Sequence, residues 1–155
     1  MKEFDYYIFI DYSVNLIGYS IIENNKLKDL LPKISKFAHF RDLNQKCSYL
    51  HAIKKIIDKE NVFSFFVKHK IREKRQNMEI YLDVLSFLKN HSNCIIFVSV
   101  DDHEYSNFKK MVEIVDKNKT VVKPESKLIK GTPEYRASLV LDTALNIERL
   151  KNECK

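Results

Sequence analysis

A chain of 155 residues, 45% hydrophobic and 31% charged, is long enough to bury a core and too apolar to stay disordered. Two glycines, Gly18 and Gly131, and three prolines exclude long flexible linkers and glycine-rich phosphate loops of the Walker or dinucleotide type. The net charge of +6 favours a polyanionic partner, and equally suits a lysine-rich surface. Cys47, Cys94 and Cys154 are odd in number and far apart, so neither a metal-ligand motif nor a disulfide framework is expected. The longest apolar run, Cys94–Val98, is too short to cross a membrane. No secretory signal opens the chain, and the cytoplasm is the expected setting.

Residues 6–10 (YYIFI) and 16–22 (LIGYSII) read as two strands of an antiparallel hairpin, with Asp11 and Ser13 leaving the first and Asn24-Asn25-Lys26 closing the second. Residues 33–40 (KISKFAHF) alternate like a third, weaker strand. The period then changes: Tyr49, Leu50, Ile53, Ile56 and Ile57 repeat at helical spacing. Residues 61–67 (NVFSFFV) read as a strand. The basic run 68–75 (KHKIREKR) falls between that strand and a helix striped by Met78, Tyr81, Leu82, Leu85 and Leu88. Residues 94–100 (CIIFVSV) form the strongest buried-strand candidate and end at Asp101-Asp102. A helix marked by Phe108, Met111, Val112 and Val115 and a short strand at 120–122 follow. Thr132 can cap the closing helix, Pro133 suits its first position and Glu134 its positive end. This order predicts one α/β domain over residues 1–155: a mixed sheet with three leading antiparallel strands and helices on its faces.

Three acids stand out by position. Asp11 leaves the first strand, Asp101 with Asp102 ends the central one, and Asp142 lies in the last helix. Carboxylates gathered at strand ends repel one another unless a cation neutralises them, and Mg²⁺ or Mn²⁺ suits oxygen-only ligands. At 100° per residue Ser138, Asp142, Asn146 and Arg149 share one narrow stripe of an otherwise apolar helix, which reads as a solvated seam or as a functional one. Asp101 has capping-box spacing to Glu104, and Asp11 can serve as a turn residue. His103 can act as a base or sit in solvent. The other four histidines share no zinc spacing. Lys68, Lys70, Arg72, Lys74 and Arg75 can track a phosphate backbone or form a solvated loop.

The element order, with an Asp leaving the first strand and a hairpin strand carrying Gly18, resembles the ribonuclease H-like superfamily. Within it the likeness is to a group that begins with an Asp-Glu-Ser type motif and ends on a helix containing Leu-Ala-Asp. Here the first motif stands as Asp11-Tyr12-Ser13. The closing segment stands as Pro124-Glu125-Ser126-Lys127 and then Ser138-Leu139-Val140-Leu141-Asp142-Thr143-Ala144. The resemblance implies a Mg²⁺- or Mn²⁺-dependent nuclease acting on DNA or RNA. Asp11, Asp101 (or Asp102) and Asp142 would be the metal ligands, His103 would assist, and Ser126 and Lys127 would lie near the site. Two departures stand against it: Tyr12 replaces the acid beside Asp11, and the helix at 47–60 lacks a mid-helix Glu. Alternative readings are a catalytically silent module that binds nucleic acid, a protein partner or a second copy of itself, and an actin-like nucleotide-binding domain.

Overall fold

The computed structural model describes residues 3–117 and 119–154. Among them five strands, β1 (Tyr6–Ser13), β2 (Leu16–Glu23), β3 (Lys68–Glu73), β4 (Cys94–Val98) and β5 (Val121–Pro124), form one sheet in the order β3-β2-β1-β4-β5. The β1–β2 and β2–β3 pairs are antiparallel, whereas β1–β4 and β4–β5 are parallel. Five α-helices flank it: α1 (Asn24–Leu30), α2 (Lys46–Glu60), α3 (Asn77–Asn90), α4 (Asp102–Asp116) and α5 (Pro133–Leu150). Among the described residues no helix is long and apolar enough to cross a membrane.

Strand alternation divides the core in two. Ile8, Ile10, Tyr19, Ile96 and Val98 pack under α3 and α4, while Phe9, Ile22, Ile95 and Phe97 pack under α1, α2 and α5. Because period two continues past the apolar run, Asp11 and Ser13 share the α5 face with Phe9.

Three sequence expectations are corrected. Residues 33–40 are not a strand. Leu27, Leu30, Ile34 and Phe37 are buried at three- and four-residue spacing, and Leu31–Ile34 forms a 3₁₀ turn with Pro32 near its start. The third antiparallel strand is instead β3, the basic run itself, and Val62–Phe65 before it is another 3₁₀ turn. The β3 charges read as loop-like because they project from an edge strand onto α3, where Lys70 pairs with Glu79 and Asp83, and Arg72 with Glu79. Finally, Cys47 and Cys154 are disulfide-bonded although 107 residues apart, since the fold brings the first turn of α2 beside the residues following α5. Cys94 is free and buried.

Gly18 lies opposite Asp11 in the hairpin and beside Ile71 of β3, on the α5 face. A Cβ there would come within 2.8 Å of the Lys70 carbonyl oxygen and 3.2 Å of Leu141 Cδ1. Its bareness is what lets α5 settle onto the hairpin beside Asp11. Gly18→Ala is expected to cost about 1–3 kcal/mol through overpacking, read as a lower Tm; an unchanged Tm would mean that the helix does not bear on this point. Cys47→Ser is expected to cost about 2–4 kcal/mol under oxidising conditions and nothing once excess dithiol is present, measured by denaturant unfolding in both buffers.

Candidate functional site

The register Phe9–Phe97–Lys123 runs straight across the three parallel strands, so the α5-facing positions two residues further on are Asp11, Ser99 and Glu125. The Ser99 N–H donates to the Ile10 carbonyl at 2.8 Å and carries the β1–β4 ladder one residue past β4. Glu125 opens a 3₁₀ turn immediately after Pro124. These three side chains and Ser138 of α5 line a cavity of ≈ 10 Å³, room for one water or ion, whose remaining walls include Phe9, Phe97 and Leu141. Asp142, on the next turn of α5 after Ser138, is 9% exposed.

A strap formed by residues 38–42 lies against Asp142 and Glu125. The Tyr49 hydroxyl accepts from the Ala38 N–H at 2.8 Å and donates to its carbonyl at 3.1 Å. The Phe40 N–H donates to Asp142 Oδ2 at 2.9 Å. His39 is thereby held between two acids, with Nε2 at 3.9 Å from Glu125 Oε1 and Nδ1 at 3.9 Å from Asp142 Oδ2.

Electrostatics follow from that crowding. Burial, then the charges of Glu125 and Asp142, push the Asp11 carboxyl up to about 8, against the opposing pull of the Tyr12 N–H and Ser99. Asp142 is also raised, mainly by burial, although the Phe40 N–H and His39 oppose the shift. Glu125 is lowered, foremost by His39, and His39 is raised, foremost by Glu125. Ser99 interacts with both Asp11 and Glu125. With Asp11 protonated, the Ser99 hydroxyl can accept that proton's hydrogen bond and donate its own to Glu125. His39 lies beyond Glu125, toward Asp142, and its Nδ1 accepts from the Arg41 N–H at 3.4 Å.

Of the acids singled out in the sequence, Asp11 and Asp142 meet here. Asp101 does not join them: it is the exposed N-cap of α4, its carboxylate accepting the Glu104 N–H at 2.9 Å and held below the usual range by that bond. Asp102 and His103 follow on the exposed first turn of α4, with His103 Nε2 at 3.3 Å from Asn107. Central β4 ends two residues earlier than expected, at Val98, so the position beside Asp11 falls to Ser99. Lys68, Lys70 and Arg72 project to the α3 face, away from the cavity, opposite Ile21, Tyr19 and Ile17. Arg75 pairs with Glu73. Lys74 sits over the Tyr12 ring at 4.2 Å, and Lys127 is exposed two residues from Glu125. Glu125, Ser99 and His39 were not singled out as site residues in the sequence. Glu125 stood in the resembled closing segment Pro124-Glu125-Ser126-Lys127 but was given no role there. The polar seam of α5 is buried and bonded: Asn146 Oδ1 accepts from Ser13 Oγ at 3.0 Å, and Asn146 Nδ2 donates to the Asp142 carbonyl at 2.8 Å.

The donor set suits a hard divalent cation, with three carboxylates and a hydroxyl supplying only oxygen, and an Asp11 whose proton affinity is raised partly by its anionic neighbours. It is an open arrangement. Among the described residues no three His, Cys, Asp or Glu side chains form a ready metal-binding group. A Mg²⁺ ion, which keeps several waters and needs only one or two carboxylates, fits such a site better than a metal that demands a full protein cage.

A mixed sheet that sets acids at the carboxyl ends of its parallel strands, with a helix laid across them, defines the class of structure to which the chain belongs. The fold is ribonuclease H-like. The chain is similar to ribonuclease H2 from Pyrococcus horikoshii OT3, with a TM-score of 0.51 and 16% identity over 96% of this chain and 76% of that one. It is also similar to the RNase HII in a PCNA:RNase HII complex from Archaeoglobus fulgidus, with a TM-score of 0.48 and 14% identity over 97% and 78% of the two chains. No protein-family model and no curated protein sequence matches the chain.

Asp11 sets a pH dependence. Folded, it keeps its proton up to about pH 8; unfolded, it releases it near 3.8. Between those values the folded state binds more protons, so this residue's contribution falls as pH rises through that window. Asp11→Asn is therefore expected to stabilise the metal-free protein at about pH 8.5 by on the order of a few kcal/mol, with the gain vanishing near pH 4. Thermal unfolding across that range checks it, and a difference that does not change with pH would refute it.

Proposed function

We propose that the chain is a Mg²⁺- or Mn²⁺-dependent nuclease acting on DNA or RNA, with Asp11, Glu125 and Asp142 as the residues that hold the ion. The observation that carries this reading is the grouping of three carboxylates at the end of the parallel strands of a ribonuclease H-like fold, Asp11 and Glu125 in the wall of one small cavity and Asp142 close enough to raise the Asp11 proton affinity. The ion would supply positive charge for activating water and for stabilising the oxygen that leaves the phosphodiester.

The rest of the work falls to the chain itself. The Phe40 N–H occupies Asp142 Oδ2 and leaves Oδ1 for a ligand. Ser99 orients Asp11 and Glu125 toward the same cavity. His39, when protonated, balances Glu125 and Asp142. Leu141 and Phe97 keep bulk water from the inner wall, which strengthens every charge interaction at the cavity. Lys74 and Lys127, on the same end of the sheet, are candidate contacts to the nucleic-acid backbone.

A second reading has its own support. Tyr12 stands where the resembled motif has a second acid, and no ready three-ligand group exists among the described residues. On this reading the chain is a silent module that binds nucleic acid or a protein partner.

Titration of Mn²⁺ by calorimetry, with cleavage of labelled DNA and RNA alongside, separates the two. The nuclease reading expects wild-type binding and cleavage, with cleavage falling about 100-fold or more in Asp11→Asn, Glu125→Gln and Asp142→Asn. Asp101→Ala is expected to lower the Tm through its lost cap, by about 1 kcal/mol in stability, without weakening Mn²⁺ binding. A wild type that neither binds Mn²⁺ nor cleaves either substrate leaves the silent module.

A further inference from the structure

Two cations beside the site described so far share one aromatic ring and bond only to neutral groups. Arg149, in the last turn of α5, donates from Nε to Ser13 Oγ at 2.9 Å and from Nη2 to Asn146 Oδ1 at 2.9 Å. Both partners are neutral. Lys46, at the start of α2, donates from Nζ to the Leu43 carbonyl at 2.9 Å and lies 3.4 Å from that of Phe40. Its partners are neutral as well. Neither side chain has a carboxylate within ion-pair distance among the described residues, whereas Lys70, Arg72 and Arg75 of the basic run all do.

A half-buried arginine without a counter-ion is costly unless something else supplies the negative charge. The C-terminal carbonyls of α5 lie close in sequence, yet the guanidinium is turned away from them onto two side chains that fix its plane. Three of its five N–H groups stay free, and one of the three on Lys46. Both cations converge on a single ring: Lys46 Nζ is 5.0 Å and Arg149 Cζ 5.8 Å from the centroid of Phe40. That ring belongs to the residue whose N–H holds Asp142. Ser13, the anchor of Arg149, lies two residues beyond Asp11 on the same face of β1, about 7 Å along the strand.

From this arrangement we infer that Arg149 and Lys46 form an anion site for a backbone phosphate of a nucleic-acid strand, next to the carboxylates. The strand passes over the β1–β2 hairpin on the α5 side. The proposal rests on the nucleic-acid reading above but not on cleavage. Ser13 and Asn146 are positioning residues that hold the guanidinium edge outward, and Phe40 is the platform between the two charges.

The test is binding of labelled single-stranded DNA and RNA in EDTA, followed by anisotropy over a series of salt concentrations. Arg149→Gln and Lys46→Gln are each expected to weaken binding by about fivefold or more and to flatten the slope of log K against log salt by about 0.7. Arg149→Lys should restore the slope, which a purely structural role for Arg149 would not predict. Lys109→Gln, on the outer side of α4, should change affinity by less than about twofold. Wild-type slope and affinity in both glutamine variants would overturn the inference, as would a wild type that binds no strand at low salt. If Arg149→Gln fails to fold, Lys46→Gln decides alone. Inorganic phosphate that raises the Tm as much as an oligonucleotide does would also overturn it, since the site would then take a free anion. A chain that binds through these residues in EDTA but never cleaves with Mn²⁺ sinks the nuclease reading and leaves this site standing.

Discussion

Mutual repulsion among Asp11, Glu125 and Asp142 is the constraint around which this molecule is arranged. Three carboxylates beside a cavity walled by Phe9, Phe97 and Leu141 cannot all be charged without a cation or a dense set of hydrogen bonds. The fold holds them together by force of packing. Phe9 and Phe97, whose stacked rings lie 6.0 Å apart, fix β1 against β4 directly beneath the acids, and α5 is seated close by the bare Gly18. The acids are neighbours because the apolar residues on either side of them leave no alternative.

What relieves the repulsion is spread over several polar groups around the acids. Each acid is followed by a group that can donate: Ser99 between Asp11 and Glu125, His39 between Glu125 and Asp142, the Phe40 N–H on Asp142 itself. The strap that brings His39 and Phe40 is tied down by Tyr49 of α2, whose hydroxyl also meets Thr143 on α5 at 3.3 Å. Helix, strap and sheet thus close on the acids from three directions. At Asp11 burial and the charges of Glu125 and Asp142 outweigh the Tyr12 N–H and Ser99, which is why its proton affinity rises.

Much of this architecture was legible in the sequence, for reasons that also explain the failures. The hairpin, the central strand and the four long helices announce themselves through apolar runs or stripes, because each buries one side against a continuous core. Asp11 and Asp142 were legible because they interrupt such patterns. Lys68–Glu73 was not, because an edge strand has one partner, and its polar residues are neutralised by Glu79 and Asp83 rather than by water. Residues 33–40 misled because Ile34 and Phe37 fit a helical spacing that alternation overlays. Ser99 and Glu125 owe their place to register between strands far apart in sequence. So do Cys47 and Cys154 to a contact that spans most of the chain.

The division of the sheet into two faces has a consequence for how such a chain can change. Side chains under α3 and α4 support the scaffold and touch none of the acids, while the alternate residues of the same strands build the cavity. Neighbours in sequence therefore answer to different demands. Substitutions that repack Ile8, Ile96 or Val98 can drift, or be recombined between relatives, without passing through the reactive side. The sheet works as an insulating layer between two independently evolvable halves.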